Sequence, residues 1–564
     1  MRFTFFKIKN FRNFENVEID LANKNVFFGM NDVGKTNFLY AMRYIFDKDV
    51  RKNNFLDSDF FQKDTSRVIE LIVGIDISDL DDSDSQKLRA QIKGNITSTE
   101  NCVYIKLCAR YDASELIAIP EMYWGGELNA LNPMKTKGYF YELDYVFNTI
   151  YIDAYVDMTT LFKKNTNALI ESVDETDNEV ISEIDSVISD LNDKIASLSG
   201  VREFERNITP EYQKFKSEGV SISVKSELAV KGLYSNIVPY IKKDGEDSLY
   251  PTSGEGRKKL LVYSLYDMLA KKEAENKINI FLVEEPENHL HRSMQLALSR
   301  VLFNDDLYKY LFVTTHSPLI LTDMDEVNLV RIYNETQINT ESIFYSVPPE
   351  YKEKKKMLNR YLGEALFANK VLLVEGPSEY ALFSKILSVV DVNYEVDGVY
   401  ILPVNGIAFK AYRDILLGLK IKVVLKTDND LRKVRGTTGD YSVLGFSRVN
   451  QYSTVTKLPE TQISITTDEV DAKRNLYDAN ITELNSIRST DLVFLSRCSL
   501  EEDLDEVIHS ELVTYLPDSN GDPITYLQGA KSYRMVELVD VISDVDCMAI
   551  YGHYNFECLK EVMR

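Results

Sequence analysis

No two of the five cysteines (Cys102, Cys108, Cys498, Cys547 and Cys558) stand in a CxxC pair, and the count is odd. That argues against a disulfide framework or a zinc site, so the thiols read as buried and free. No apolar run approaches the roughly 18–20 residues that a membrane span needs. The opening MRFTFFKIKNFRNF has no apolar core followed by a small-residue cleavage site, so no signal peptide is expected and the location should be cytoplasmic. Fixed-period repeats and low-complexity tracts are also missing. Basic charge is in deficit: 65 Lys and Arg stand against 88 Asp and Glu, a net −23. Nucleic-acid binders are usually basic, but contact depends on local patches rather than on the sum. Arg257-Lys258-Lys259, Lys352 with Lys354-Lys355-Lys356, and Arg432-Lys433 with Arg435 are such patches, and each also reads as a solvated face. Carboxylates gathered to bind metal would lower the total too.

What is present is an ordinary globular composition, 44% hydrophobic and 27% charged. A chain of 564 residues exceeds one core, so roughly two to four domains are expected. Strand-like runs at 26–28, 68–77 and 103–108 alternate with helical spacing at Phe38, Leu39, Met42, Ile45 and Phe46, which points to an α/β core. Around 155–230 the texture changes. Ile181, Ile184, Ile188, Leu191, Ile195 and Leu198 form an a/d seam. It suits either an amphipathic helix packed on its own domain or a helical dimerisation insert. Ser346-Val347-Pro348-Pro349 breaks regular structure, and a new strand–helix series opens at Val371. The expected divisions are 1–152, 153–230 (the insert), 231–346 and 347–564.

Gly29-Met30-Asn31-Asp32-Val33-Gly34-Lys35-Thr36 fits GxxxxGK[ST], after a strand and opening a helix. Such a loop closes backbone N–H groups around phosphates, with Lys35 reaching the β/γ-phosphates and Thr36 on Mg²⁺. Gly29, Asn31, Gly34, Lys35, Thr36 and Asn37 are therefore candidate ATP contacts. The strand 280–283 ends in Glu284 and Glu285. Successive strand residues face opposite ways, so Glu284 can serve Mg²⁺ while Glu285 polarises the attacking water. Another strand, 311–314, leads into Thr315-His316-Ser317-Pro318, where His316 can touch a γ-phosphate or be structural. Ser253-Gly254-Glu255-Gly256-Arg257 opens a helix over 258–269, whose N-terminus suits an anion. Gln62 is a candidate Q-loop residue.

VLLVEGPSEY at 371–380 has no phosphate loop upstream. Glu375 ends the strand, Gly376 turns the chain, and Glu379 follows one turn into a helix. A later strand, 423–427, ends in Asp428-Asn429-Asp430. Strand alternation places Asp428 and Asp430 on one face. Like charges so close are costly unless a cation sits between them, and hard oxygen ligands suit Mg²⁺ or Mn²⁺. An acidic surface turn is the other reading. After a strand at 492–495 comes the acidic run Glu501-Glu502-Asp503, of which Glu501 and Asp503 either complete a second metal position or belong to an acidic helix face. Lys531 follows in QGAK.

In this order the first set resembles an ATP-binding-cassette ATPase of the Rad50/SMC/RecF branch, whose N-terminal signature is similar to Ile8-Lys9-Asn10-Phe11-Arg12-Asn13-Phe14. The second resembles the TOPRIM fold of topoisomerases, primases and some nucleases. The two in series are the layout of OLD-family nucleases, and IKNFRNFE, NVFFGMNDVGKTNFLYA, YPTSGEGRKK, VLLVEGPSE and KTDNDL resemble that family's Gabija anti-phage branch. The fold class implied is α/β: an ABC-type ATPase domain with a helical dimerisation insert, followed by a TOPRIM domain. The resemblance implies a metal-dependent, nucleotide-regulated DNA endonuclease with double-stranded DNA as its partner. Glu375, Asp428 and Asp430 would hold one ion. Glu379 with the LExD residues Glu501 and Asp503 would hold or orient a second, and Lys531 would be the catalytic lysine. Ser253, Gly254 and Gly256 would close over ATP on another subunit. The cofactors implied are Mg²⁺ or Mn²⁺ and ATP; the partners are further copies, in a dimer or tetramer, and a UvrD-like helicase subunit. Three positions depart from related patterns. Glu284 replaces the usual cassette aspartate, Arg432 stands at the third aspartate of topoisomerases, and Arg497-Cys498-Ser499 precede LExD where acids are frequent. A TOPRIM topoisomerase or primase, and an ATP-gated DNA clamp or sensor without cleavage, stay open as alternatives.

Overall fold

The computed structural model describes residues 1–94, 100–138, 140–155, 161, 194, 198–215, 219–226, 237–252, 254–322, 327–334, 341–346, 361–437, 439–465 and 468–564. The chain divides into two units, Met1–Ser346 and Val347–Arg564, each with its own sheet and core.

The first unit is built on a six-stranded sheet in the order Phe147–Ile152, Ile278–Glu284, Leu311–Thr315, Lys24–Phe28, Asn328–Tyr333 and Ile343–Ser346. All neighbours are parallel except the last pair. Every residue of Ile278–Glu284 is buried, as expected of a parallel strand covered on both faces. An antiparallel sheet that includes Arg2–Phe11, Ile69–Asp76 and Cys102–Asp112 packs beside it. Phe3 joins the two through edge-to-face contacts with Phe46, Tyr310 and Phe312.

Of the expected helical insert, the heptad run from Ile181 to Ile195 lies outside the described residues, and Leu198 is exposed. The rest of that span is not all helical. Helix Ser199–Phe215 is followed by strand Val220–Ser226, which pairs with Ile237–Lys243 across the expected boundary. Val220, Ile222 and Val224 are buried at a period of two, the physical reason this stretch forms a strand.

The second unit carries a parallel sheet in the order Val399–Pro403, Lys370–Val374, Lys422–Thr427 and Val493–Leu495. Three of its strands end side by side, so Glu375, Asp428 and Ser496 emerge along one carboxyl edge, where open α/β sheets bind ligands. Leu500, Leu504, Ile508 and Leu512 bury one face of helix Leu500–Tyr515 in the core. The five cysteines are free; Cys498, Cys547 and Cys558 are buried, whereas Cys102 and Cys108 are partly exposed. No helix among the described residues is long and apolar enough to cross a membrane.

Candidate functional sites, one in each unit

The phosphate loop leaves strand Lys24–Phe28 through Gly29 (φ 153°) and enters helix Lys35–Phe46 through Gly34 (φ 101°). Gly34 is required twice over: its φ is left-handed, and a Cβ there would lie 1.9 Å from Asn13 Nδ2. Asn13 donates to Val33 O at 2.9 Å and accepts from Asn37 Nδ2 at 2.8 Å, while Arg12 Nη1 donates to Asn37 Oδ1 at 2.8 Å. The opening FRNF turn thus clamps the loop from outside. Lys35 Nζ donates to Gly29 O at 3.1 Å and Met30 O at 2.6 Å. Burial lowers its pKa to about 8, against the pull of Glu285, Glu287, Asp32 and Glu284. A cavity of about 450 Å³ beside the loop is lined by Arg12, Asp32, Asn37, Phe60, Gln62 and Asn334, which brings the candidate Q-loop residue to this place.

Glu284 is the last strand residue, and its two oxygens accept from Thr36 Oγ1 and from Tyr151 Oη (2.5 Å). Glu285 turns away at φ 42°. Its Oε1 lies 3.1 Å from His316 Nε2, and its Oε2 accepts from Asn288 Nδ2 at 2.7 Å. The His316 contact, with Asn288 and Lys35 adding to it, holds this carboxyl at about 2 despite partial burial, so it is ionised at neutral pH. Glu287 accepts from Thr315 Oγ1 at 2.8 Å and His316 N at 2.6 Å, fixing the histidine's backbone. Lys259 Nζ donates to the strained Glu285 carbonyl at 2.8 Å, tying the helix after the glycine-rich turn to the acid strand. Gly254 caps that helix, Glu255–Glu273, and a Cβ on Gly256 would lie 3.2 Å from His289 O; Ser253 falls outside the described residues. Asn31 is an exposed loop residue.

In the second unit, Glu375 Oε1 accepts from Thr427 Oγ1 at 2.5 Å, Asp428 N at 3.0 Å and Arg448 Nη1 at 2.6 Å. Ser496 Oγ donates to Asp428 Oδ1 at 3.0 Å. Burial first, and then Glu375, Glu379 and Glu501, push the Asp428 carboxyl well above the usual range, with Lys426 opposing. Asp428 is therefore near enough to Glu375, Glu379 and Glu501 for their charges to oppose its ionisation. Such oxygens suit Mg²⁺ or Mn²⁺, and a divalent cation would relieve the repulsion. The cage is not preassembled: among the described residues no three His, Cys, Asp or Glu side chains are gathered as a metal site.

Asp428 and Asp430 both lie beyond the end of their strand at Thr427, so strand alternation does not set their faces. Asp430 Oδ2 accepts from Arg448 Nη2 at 2.7 Å. Asn429, fully buried between the two aspartates, donates to Lys473 O and Arg497 O, both at 3.2 Å. Ser499 Oγ donates to Glu501 Oε2 at 2.7 Å and also bonds Glu502, whose Oε1 accepts from Gln528 Nε2 at 3.0 Å. That last bond ties the turn before Lys531, the first residue of helix Lys531–Val541, to the acid helix. Asp503 is engaged differently from the expectation of a metal ligand. It is buried against Lys426 Nζ at 3.2 Å and accepts from Arg497 N at 3.0 Å and Cys498 N at 3.4 Å. Its carboxylate thus holds the loop between Ser496 and Ser499. Arg448, Ser496, Glu502, Tyr151 and Lys259 were not found from sequence. Only Glu502, inside the acidic run, left a local signal.

Residues 366–430 match the family "Overcoming lysogenization defect protein-like, TOPRIM domain". Residues 1–154 and 153–321 match the family "AAA ATPase domain". Over 576 aligned residues the chain is 42% identical to Endonuclease GajA of Bacillus cereus (strain VD045), covering 100% of this chain and 99% of that one. The chain belongs to the GajA group of the OLD-family nucleases. The Old nuclease of Escherichia phage P2 is a more distant relative, 22% identical over 419 residues, 67% of this chain and 69% of the other. A GajA endonuclease from Bacillus cereus (strain HuB5-5) is 21% identical over 313 residues, 49% and 43% of the two chains. The TOPRIM match in this GajA-group chain contains Glu375, Glu379, Asp428 and Asp430, whereas Glu501, Asp503 and Lys531 lie beyond it. The expected series, an ATPase domain followed by a TOPRIM domain, is what these families describe.

Proposed function

We propose that the chain is a divalent-metal-dependent endonuclease that nicks or cleaves double-stranded DNA. It is regulated by nucleotide and acts in the cytoplasm, in anti-phage defence, as a homo-oligomer with a helicase-like partner subunit. The observation that carries this reading is that Glu375 and Asp428 follow the ends of two neighbouring parallel strands, close enough for Asp428 N to donate to Glu375 Oε1 at 3.0 Å. The names of the relatives, Endonuclease GajA and Old nuclease, support it. Bound divalent ions would supply an activated water and a stabiliser for the leaving oxygen. Glu375, Asp428 and Asp430 would hold one ion; Glu379 and Glu501 would hold or orient a second. Asp503 acts by fixing the loop that aims Ser496 and Ser499 at those acids, and Lys531 offsets charge building on the phosphate. In the first unit, Thr36 and Glu284 would hold the Mg²⁺ of ATP, ionised Glu285 would orient water, and His316 would contact the γ-phosphate. Ser253, Gly254 and Gly256 close over ATP on a second copy.

Supercoiled plasmid incubated with the protein and Mg²⁺ or Mn²⁺, with and without ATP and the helicase-like partner, tests this. Open-circular or linear product is expected. Plasmid that stays intact under every condition would rule it out. A second reading is an ATP-gated DNA clamp or sensor without cleavage. Under that reading, converting Asp428 and Asp430 to alanine leaves DNA binding and defence intact; under the nuclease reading, nicking and defence are both lost.

A further inference from the structure

Arg448 has no role in the reading above. It lies on helix Leu444–Asn450 and is only 4% exposed. Nη1 donates to Glu375 Oε1 at 2.6 Å and to Thr427 Oγ1, and Nη2 donates to Asp430 Oδ2 at 2.7 Å. One planar fork therefore bridges two carboxylates that the metal would share. The hydrogen bonds to these two acids fall on one oxygen each. Glu375 Oε2 and Asp430 Oδ1 accept none from the described residues. The helix is brought in close by Gly445, where a Cβ would lie 2.9 Å from Asn429 Cα, and Gly445 N donates to Asp430 O at 3.0 Å. A buried guanidinium is costly to strand, so its place here depends on the acids it meets.

We propose that Arg448 is the resident counter-ion of the acid cluster: it holds Glu375 and Asp430 before a divalent cation arrives and competes with that cation for them. This rests on the metal-dependent nuclease reading. It accounts for a cluster rich in oxygen donors in which no three-ligand cage stands ready. Two effects oppose when Arg448 is removed. Loss of the fork frees two carboxylate side chains, and re-ordering them lowers metal affinity by roughly a few-fold. Loss of its positive charge removes repulsion of a doubly charged ion at close range, worth about tenfold with Glu375 20% and Asp430 43% exposed. The charge effect is the larger, so the metal binds more tightly while its placement worsens. Arg448 is thus a positioning residue.

The test is Mn²⁺ binding to the full-length protein without nucleotide, read by the loss of the free-ion paramagnetic resonance signal, beside nicking at saturating metal. Arg448→Gln should bind Mn²⁺ about tenfold more tightly, about 1.4 kcal/mol, and nick more slowly. Arg448→Lys keeps the charge and loses the fork, so its affinity should stay within about threefold of wild type while nicking falls. Melting temperature and ATP binding at the first unit report whether each variant is folded. A folded Arg448→Gln with unchanged or weaker Mn²⁺ binding overturns the proposal. If that variant does not fold, a tenfold affinity gain in Arg448→Lys overturns it instead, and unchanged affinity supports it. Asp428→Ala/Asp430→Ala separates the two levels: if it binds Mn²⁺ as wild type does, the metal-site reading itself fails.

Discussion

Replacing Lys426 with methionine removes one half of a buried ion pair beneath the acid cluster. Lys426 Nζ lies 3.2 Å from Asp503 Oδ2 and donates to Asn555 O at 2.9 Å, and the two side chains are 3% and 1% exposed. Methionine keeps most of the stem's volume and leaves Asp503 in place without its cation. Breaking a buried pair from one side costs about 3–5 kcal/mol. Asp503 keeps two backbone donors, Arg497 N and Cys498 N, which places the loss near the lower end, at about 3 kcal/mol. In a unit the size of residues 347–564, ~1 kcal/mol moves the melting midpoint by roughly 2–4 °C, so the drop should be about 6–12 °C. Asp503→Asn should cost a similar amount. The double variant should cost less than the sum by about 2 kcal/mol, since it no longer strands a charge. Calorimetric melting of the full chain and its three variants measures this. Costs that add to within about 0.5 kcal/mol would show that the pair does not interact as described.

Gly34→Ala must force a Cβ into Asn13 at a left-handed φ, costing about 1–3 kcal/mol locally; binding of a fluorescent ATP analogue should be lost, and unchanged binding would contradict the loop geometry. Gly445→Ala presses on Asn429 Cα and should lower stability by about 1–3 kcal/mol and slow nicking more than ATP hydrolysis; equal effects on both would count against it. Asp267 is buried beside Tyr308, and burial, opposed by the tyrosine's hydrogen bond, raises its carboxyl to about 7. The folded chain thus keeps a proton that the unfolded chain releases above about pH 4, so this stabilisation is complete below that pH and is lost as pH rises through 7. The loss reaches about 4 kcal/mol. Asp267→Asn should flatten the fall in melting temperature between pH 4.5 and pH 8, and an unchanged slope would refute it.

Features carried by a few adjacent residues were legible in the sequence. The phosphate loop declares itself because Gly29, Gly34 and Lys35 must stand at fixed spacing to curve around phosphate. The acids at 284–285, 375 and 428–430 declare themselves because each follows an apolar run. What could not be read were partners far apart in the chain: Arg448 meets Glu375 across 73 positions, and Tyr151 meets Glu284 across 133. No periodicity announces such contacts. Alternation does not reach Asp428 and Asp430, because the strand stops at Thr427. Strand Val220–Ser226 has a period of two, but it is short and follows directly on a heptad pattern and a helix, so its sequence signal is weak beside theirs. Asp503 shares the acidic run with Glu501, and only three-dimensional packing gives it to Lys426.

The most direct measurement is plasmid nicking by Asp428→Asn beside the wild-type protein, with Mg²⁺ or Mn²⁺, ATP and the partner subunit present, and with ATP binding measured on the same samples. We expect nicking to fall by at least about a hundredfold while ATP binding stays at the wild-type level. Wild-type nicking by a folded Asp428→Asn protein would contradict the assignment of DNA cleavage to the acids at the edge of the second sheet.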